Sequence, residues 1–403
     1  MSLLTIAYMT SRVEPCFEWF FDSLHRECGG DYRGLEVLVV DYWAAENWRV
    51  TGQESSPASS PVSMVRTDPY EPTAAERAGQ VRRVARLPEA HLLHVPPKPT
   101  VWQGRHRRTR ENYFAKCNAH NTALALARGP WIAFVDDVSV LLPGWLGRVQ
   151  RARERGYVVF GAYMKLRELE VRDGEVTSGS TVCQCKAEGC GGEFILDYQR
   201  KILPMNGTGR VEPDGKIICD RFGCGGECYA QGRDSRWPHG KDGEVVPAGG
   251  GWMAGCSMAA PLEAFLKING YDERCDSLGA EDYIAGIYLD RQGFTFGYDR
   301  AMLTYESEER HHYTRPTGDN RQHPWLDTAN GRVLEASFKR IDKGRSPDDK
   351  SHKMLEMAMS GPPRSEHGYD LRALRARVQA GEPFPLPNGP THDWYDGQPV
   401  EEF

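Results

Sequence analysis

Apolar residues fall into short runs and helical stripes that alternate through the first third of the chain. Leu3 to Met9 is a short apolar run followed by Thr10-Ser11-Arg12. Phe17, Phe20, Phe21 and Leu24 then recur at three- and four-residue spacing, which predicts an amphipathic helix. Leu35 to Val40, LEVLVV, reads as a second strand that stops at Asp41. A strand, a helix and a strand ending in an acid form the start of a parallel α/β sheet. Asn112 to Arg128 reads as a helix presenting Lys116, Asn118 and Asn121. It leads into Trp131 to Val135, WIAFV, with the length and β-rich content of a buried strand. That strand ends in Asp136-Asp137, and Pro143-Gly144 turns the chain.

The same alternation returns after residue 249. A helix begun near Leu262 is stopped by Asn269-Gly270. Beyond Gly279, Glu281-Asp282 opens another helix, with Ile284, Ile287 and Tyr288 on its apolar stripe and Gly293 ending it. Two carboxylates in a first turn are favourable charges at a helix N-terminus. The pair at Asp136-Asp137 is different in kind. Adjacent acids at the end of a buried strand are costly unless paired, solvated or bound to a cation, and ligands of open α/β sheets sit at that end. Further on, Asn330 to Lys343 and Asp370 to Gln379 read as helices, separated by Pro-rich linkers.

The segments FLKINGYDE (265–273), GAED (279–282) and the Asp136-Asp137 strand together resemble nucleotide-sugar glycosyltransferases of the GT-A fold. The first half is most similar to family 2 glycosyltransferases, and the stretch from Phe265 to Asp282 also looks like the C-terminal region of β-1,4-galactosyltransferases. The likeness covers roughly residues 3–50, 112–163 and 249–312. It implies an α/β GT-A fold, Rossmann-like, with a mostly parallel sheet and flanking helices. The division it suggests is a nucleotide-sugar-binding half (1–165), a cysteine-rich insertion (166–246), an acceptor and catalytic half (247–320) and a helical, Pro-rich extension (321–403).

The resemblance also implies chemistry. Asp282 becomes the general base of an inverting hexosyl transfer from a UDP-sugar to an acceptor hydroxyl, with Glu281 orienting the acceptor. Thr10, Asp41, Lys116, Asn121, Asp136, Asp137 and Trp252 become donor-site residues, Asp41 at the base or ribose. The Gly249-Gly250-Gly251 loop would close over the donor, with Trp252 shaping the sugar pocket. Mn²⁺ or Mg²⁺ would sit on Asp137, completed by His312 or His311. One position departs from the pattern. Val138 stands where the second acid of an Asp-x-Asp motif belongs, and valine coordinates no cation. Either Asp137 shifts into that role or basic residues, such as those near Arg105, neutralise the donor diphosphate.

Six of the 11 cysteines fall between residues 166 and 246, and they repeat. Cys185 to Glu193 and Cys219 to Glu227 both read C-x-x-x-G-C-G-G-E. Each offers two thiolates around a glycine turn, as in a zinc knuckle. Cys185, Cys190, Cys219 and Cys224 would close one structural Zn²⁺ site, with Cys183 and Cys228 spare or substituting. Disulfides are the alternative and require an oxidising compartment; free thiols are the third.

The composition, 40% hydrophobic and 26% charged over 403 residues, is that of an ordinary globular protein. A net charge of −6 gives no overall argument for nucleic-acid binding. The start lacks a basic n-region, and no stretch reaches the roughly 18 apolar residues of a membrane span. A cytoplasmic location is therefore expected. The basic run from Pro96 to Arg110, with Trp102 and His106 among its cations, could grip phosphate or stack on a base. The acceptor stays open between a glycan or lipid intermediate, a protein and a modified DNA base. A second functional class is a catalytically silent binding protein of the same fold, whose zinc insert recognises nucleic acid or protein.

Overall fold

The computed structural model describes residues 3–10, 12, 15–44, 72–99, 116–212, 214–241, 243–255, 257–275, 281–312 and 370–385. Fifteen strands and eight helices are described. The first strands, β1 (Leu4–Thr10), β2 (Leu35–Asp41), β3 (Leu92–Val95) and β4 (Trp131–Asp136), form a parallel block in the order β3-β2-β1-β4. Helices α1 (Phe17–Cys28), α2 (Ala74–Ala85) and α3 (Lys116–Leu126) connect them. Every residue of β1 and β2 is buried, as expected of strands covered on both faces. The stripe Phe17, Phe20, Phe21 and Leu24 is fully buried and covers one of those faces.

The sheet then changes character. Two short elements follow β4, the strand β5 (Ser139–Leu141) and helix α4 (Trp145–Arg155). The long strand β6 (Val158–Arg172) leaves the parallel block and pairs antiparallel with β7 (Glu175–Cys185), which continues through β8 (Glu193–Asp197) and β9 (Ile202–Asn206). β10 (Gly209–Val211) and β11 (Ile217–Cys219) form a separate ribbon, and β12 (Cys228–Ala230) returns to pair with β7. β13 (Val245–Ala248) leads back to β14 (Ser257–Pro261), which lies antiparallel between β4 and β6. Helices α5 (Leu262–Lys267) and α6 (Glu281–Arg291) precede β15 (Phe296–Ser307), which runs parallel to β6 and antiparallel to β5 and β13. The short α7 (Glu308–His312) follows it, and α8 (Leu371–Gln379) packs on α3.

The cysteine-rich segment thus grows out of the central sheet. β6 runs straight through residue 165 and β13 spans residues 246 and 247, the two limits expected for an insertion. Two turn signals act as the sequence suggests: Asn269 (φ 60°) and Gly270 (φ 79°) are both left-handed and end α5. Of the three glycines after β13, Gly250 is held by close packing. A Cβ on Gly250 would lie 2.0 Å from the Gly286 carbonyl oxygen, and one on Gly286 2.0 Å from that of Gly250. This stretch is pressed against α6. No described helix is long and apolar enough to cross a membrane.

Candidate functional site

Three parallel strands deliver polar residues to one end of the sheet. Register pairs Thr10 with Asp41 and Met9 with Asp136, so β1, β2 and β4 stop at the same level. Asp136 meets Lys116, the first residue of α3, at 3.1 Å. Lys116 also lies 3.6 Å from Glu281, at the start of α6. A cation in the first turn of a helix opposes the helix dipole, so Lys116 is held there by acids from two other elements. Burial works against its charge, but Asp136, Glu281 and Asp282 outweigh it and hold the ammonium well above the ordinary lysine range.

Asp282 lies beside this pair. Its Oδ2 accepts a 2.8 Å hydrogen bond from the Gly255 N–H, and its buried Oδ1 has no partner among the described residues. A Cβ on Gly255 would stand 2.5 Å from Oδ1, so only glycine admits the carboxylate here. Burial, reinforced by Glu281 and Asp136, pushes Asp282 up to about 8, against the pull of Lys116 and the Gly255 N–H. The result is a poised carboxyl whose buried Oδ1 has no partner among the described residues.

Asp137 faces the other way. Its Oδ2 is bound by Arg12 Nε and by the Thr10 hydroxyl, both at 2.8 Å, and its carbonyl oxygen accepts from Tyr8 at 2.5 Å. Thr10 is therefore a link between β1 and the acidic pair. Asp41 is fully buried, with its Oδ1 on the Trp43 N–H (2.9 Å) and its Oδ2 near Arg77 Nε (3.1 Å) and His94 Nε2 (3.0 Å). Arg77 also donates to the Arg12 carbonyl at 2.5 Å. Asp41 thus reaches the site through Arg77 and Arg12, and its buried carboxylate is held by partners from within the chain.

The remaining expected residues divide. Asn121 is buried in α3 and spends its amide on Tyr271 N, Tyr271 O and Glu273 Oε1, at 2.8, 2.8 and 2.9 Å. It clamps the segment from Tyr271 to Glu273. The Trp252 ring rests against His239 and Tyr298 at 5.3 and 6.0 Å between ring centres. The side chains of His311 and His312, the basic run from residue 100 to 110 and the helix expected at 330–343 lie outside the described residues. One site residue has no sequence signal of its own. Glu306, near the end of β15, is fully buried in register with Ser139 and Lys165. Burial together with Asp136 and Asp137 pushes it up to about 8, against Lys165 and Lys116. Its mark in the sequence is only an acid closing a strand-like run.

The divalent cation implied at this acidic pair does not fit the described residues. Asp136 is committed to Lys116 and Asp137 to Arg12 and Thr10, while Val138 is fully buried in the core. Among the described residues, the one group of three or more His, Cys, Asp or Glu donor atoms close enough to share an ion lies elsewhere, at Cys185, Cys190, Cys219 and Cys224.

That cysteine set fits a metal well. The two repeats fold alike: Cys185 N donates to Gly192 O (2.9 Å) as Cys219 N does to Gly226 O (2.8 Å). Gly189 and Gly223 share a left-handed φ of 73°, and Gly191 and Gly225 take 57° and 65°. The knuckles interlock. A Cβ on Gly192 would lie 2.8 Å from the Cys219 sulfur, and one on Gly226 2.9 Å from the Cys185 sulfur. Sulfurs pair across the repeats, Cys185 with Cys224 and Cys190 with Cys219, each 3.7 Å apart. Sulfurs about 2.3 Å from a tetrahedral ion are separated by about 3.8 Å, whereas a disulfide would bring them to about 2.0 Å. Cys183 and Cys228 are buried in the core and fall outside the set.

A scan of protein-family models and a search of curated proteins found no match. Among solved structures, the chain is similar to S. aureus TarS 1-349 in complex with UDP, at 9% identity over 88% of this chain and 70% of that one, with a TM-score of 0.39. It is similar to GalNAc-T7 with UDP, GalNAc and Mn²⁺ (9% identity, 96% and 59%, TM-score 0.40). A third is the mannosyltransferase PcManGT from Pyrobaculum calidifontis with GDP-Man and Mn²⁺ (14%, 89% and 80%, TM-score 0.37). Likenesses this distant carry no weight for function.

Proposed function

We propose that this chain is a glycosyltransferase that moves a sugar from a nucleoside diphosphate donor to an acceptor hydroxyl with inversion. The observation that carries this reading is Asp282: a carboxyl with one unpartnered oxygen, raised to about 8, beside Glu281, Lys116 and Asp136 at the ligand-binding end of a parallel block. The resemblance of the GAED and FLKINGYDE segments supplies the reaction class and favours a UDP-sugar. In the reaction the acceptor oxygen forms a bond to the anomeric carbon as the bond to the β-phosphate oxygen breaks. The bonding pair leaves with the nucleoside diphosphate, and the acceptor proton passes to Asp282 Oδ1. Glu281 orients the acceptor, and Asp136 keeps Lys116 in place.

Zn²⁺ is the ion proposed for the cysteine set, because a closed four-thiolate tetrahedron is its characteristic donor set. Its role is structural: it ties two glycine-rich knuckles that bury little apolar surface of their own.

The test is nucleoside diphosphate release from a panel of nucleotide-sugars by the parent and by Asp282→Asn. Release from one donor, reduced about 10²- to 10⁴-fold in the variant, is the expected result for a general base. Turnover within a few-fold of the parent would remove Asp282 from that role. A protein that binds a donor without ever releasing diphosphate would favour the silent binding protein, to which the buried Val138 lends some support.

A further inference from the structure

We infer that the Lys116 ammonium takes the place of a divalent cation in holding the donor diphosphate, so that donor binding needs no Mn²⁺ or Mg²⁺. This deepens the glycosyltransferase reading and rests on it. Lys116 stands at the strand-end acid and the helix-start acid at once, 3.1 Å from Asp136 and 3.6 Å from Glu281. Three elements that share no local sequence, β4, α3 and α6, converge on its Nζ.

The acids around Lys116 are the second ground. The acidic pair is already neutralised from within the chain, Asp136 by Lys116 and Asp137 by Arg12. The position that would carry a further carboxylate is Val138, packed at 0% exposure. Asp136 Oδ1 and Asp137 Oδ2 already face nitrogen cations and Val138 adds no oxygen, so this stretch offers a hard divalent ion fewer oxygens than an Asp-x-Asp motif would.

The third point is access. The Lys116 side chain keeps 33% of its surface exposed, unlike Arg12 at 3%. An ammonium carries three donors and can serve a phosphate oxygen while still paired. As a compact point charge on a flexible stem it suits a pyrophosphate whose exact pose differs between ground and transition state. When the bond to the β-phosphate oxygen breaks, that partly exposed ammonium, beside Asp136 and Glu281, can take up the charge that develops on the phosphate.

The experiment measures binding of UDP, GDP, ADP, CDP and dTDP by calorimetry, in buffer stripped of divalent ions on a chelating resin and in buffer with Mn²⁺ added. A soluble chelator is avoided because it would attack the cysteine-bound metal, whose retention is checked by metal analysis. The inference expects one nucleoside diphosphate to bind equally, within about twofold, in both buffers. Lys116→Met should weaken that binding by about tenfold or more, the loss of a charge-assisted hydrogen bond, and Mn²⁺ should not restore it. Lys116→Arg should retain most of it. Binding by the parent that collapses without Mn²⁺ would overturn the inference and leave the glycosyltransferase reading intact. Binding of none of the five in either buffer would overturn the donor-site reading and this inference with it. The parent comparison needs no variant, so a misfolded Lys116→Met does not blunt it.

Discussion

Around Asp136 four acids, Asp136, Glu281, Asp282 and Glu306, converge and the chain's own lysines answer them. In the cysteine module four sulfurs converge at a spacing made for an ion taken from solution. The first arrangement leaves charge adjustable, because carboxyls of raised pKa beside a half-exposed lysine can gain or lose a proton during a reaction. The second is closed, since its four sulfurs face one another and a Cβ on Gly192 or Gly226 would strike one of them. Reactive and structural sites thus differ here in whether the balancing charge can be shared with a substrate.

Removing the metal from the cysteines should have the largest effect. Structural zinc contributes roughly 10–16 kcal/mol of apparent binding energy in small peptides, so Cys219→Ser or metal extraction should unfold β10, β11 and the knuckles. Hydrogen exchange would show protection lost between residues 183 and 230 and retained in β1, β2 and β4. Loss spread evenly over both regions would erase the distinction.

Next comes a substitution aimed at the close approach to Asp282. A Cβ on Gly255 would strike Asp282 Oδ1, so Gly255→Ala should lower turnover by about tenfold or more through misplacement of the carboxylate while leaving the cysteine metal bound. Unchanged turnover would show that Asp282 need not sit where it does. The mirror experiment, Gly192→Ala, pushes on the Cys219 sulfur and should cost about 1–3 kcal/mol of stability, read by thermal denaturation, with turnover unaffected.

Stability should also change with pH. Asp282 and Glu306 are both raised from about 4 to about 8 in the folded protein. The folded state then holds protons that the unfolded state has released. The stabilisation is complete below the unfolded values near pH 4 and is lost as pH rises through about 8. The melting temperature should fall between pH 6 and pH 9, and the fall should shrink in the Asp282→Asn, Glu306→Gln double variant. An equal fall in both proteins would place the titrating groups elsewhere.

Much of both sites is legible in the sequence, for different reasons. Asp136 and Glu281-Asp282 declare themselves because a β-rich run and a helical stripe each end or begin on an acid. The knuckles declare themselves by repetition, though their interlock, Gly192 against Cys219 and Gly226 against Cys185, belongs to tertiary structure. What the sequence hides is pairing at long range. Nothing local says that Arg77 on α2 takes Asp41, or that Arg12 takes Asp137, so both acids read as open ligand sites. Asn121 reads as a donor contact for the same reason, since its partners Tyr271 and Glu273 lie about 150 residues away. Glu306 is obscured by the acids after it, because only the register of β15 with β6 and β5 shows which one turns inward.

The role of Asp282 is read most directly in the pH dependence of kcat/KM for the donor the panel identifies. Asp282 faces Glu281 on its own helix, Asp136 on β4, Lys116 on α3 and the Gly255 N–H, and with these neighbours it titrates near 8. As a base it acts only when ionised, so kcat/KM should rise about tenfold per pH unit below that value and level off above it. The residual activity of Asp282→Asn should lack this rise. A parent profile that is flat from pH 6 to 9, or a rise that persists in the variant, would contradict the assignment of Asp282 as the base.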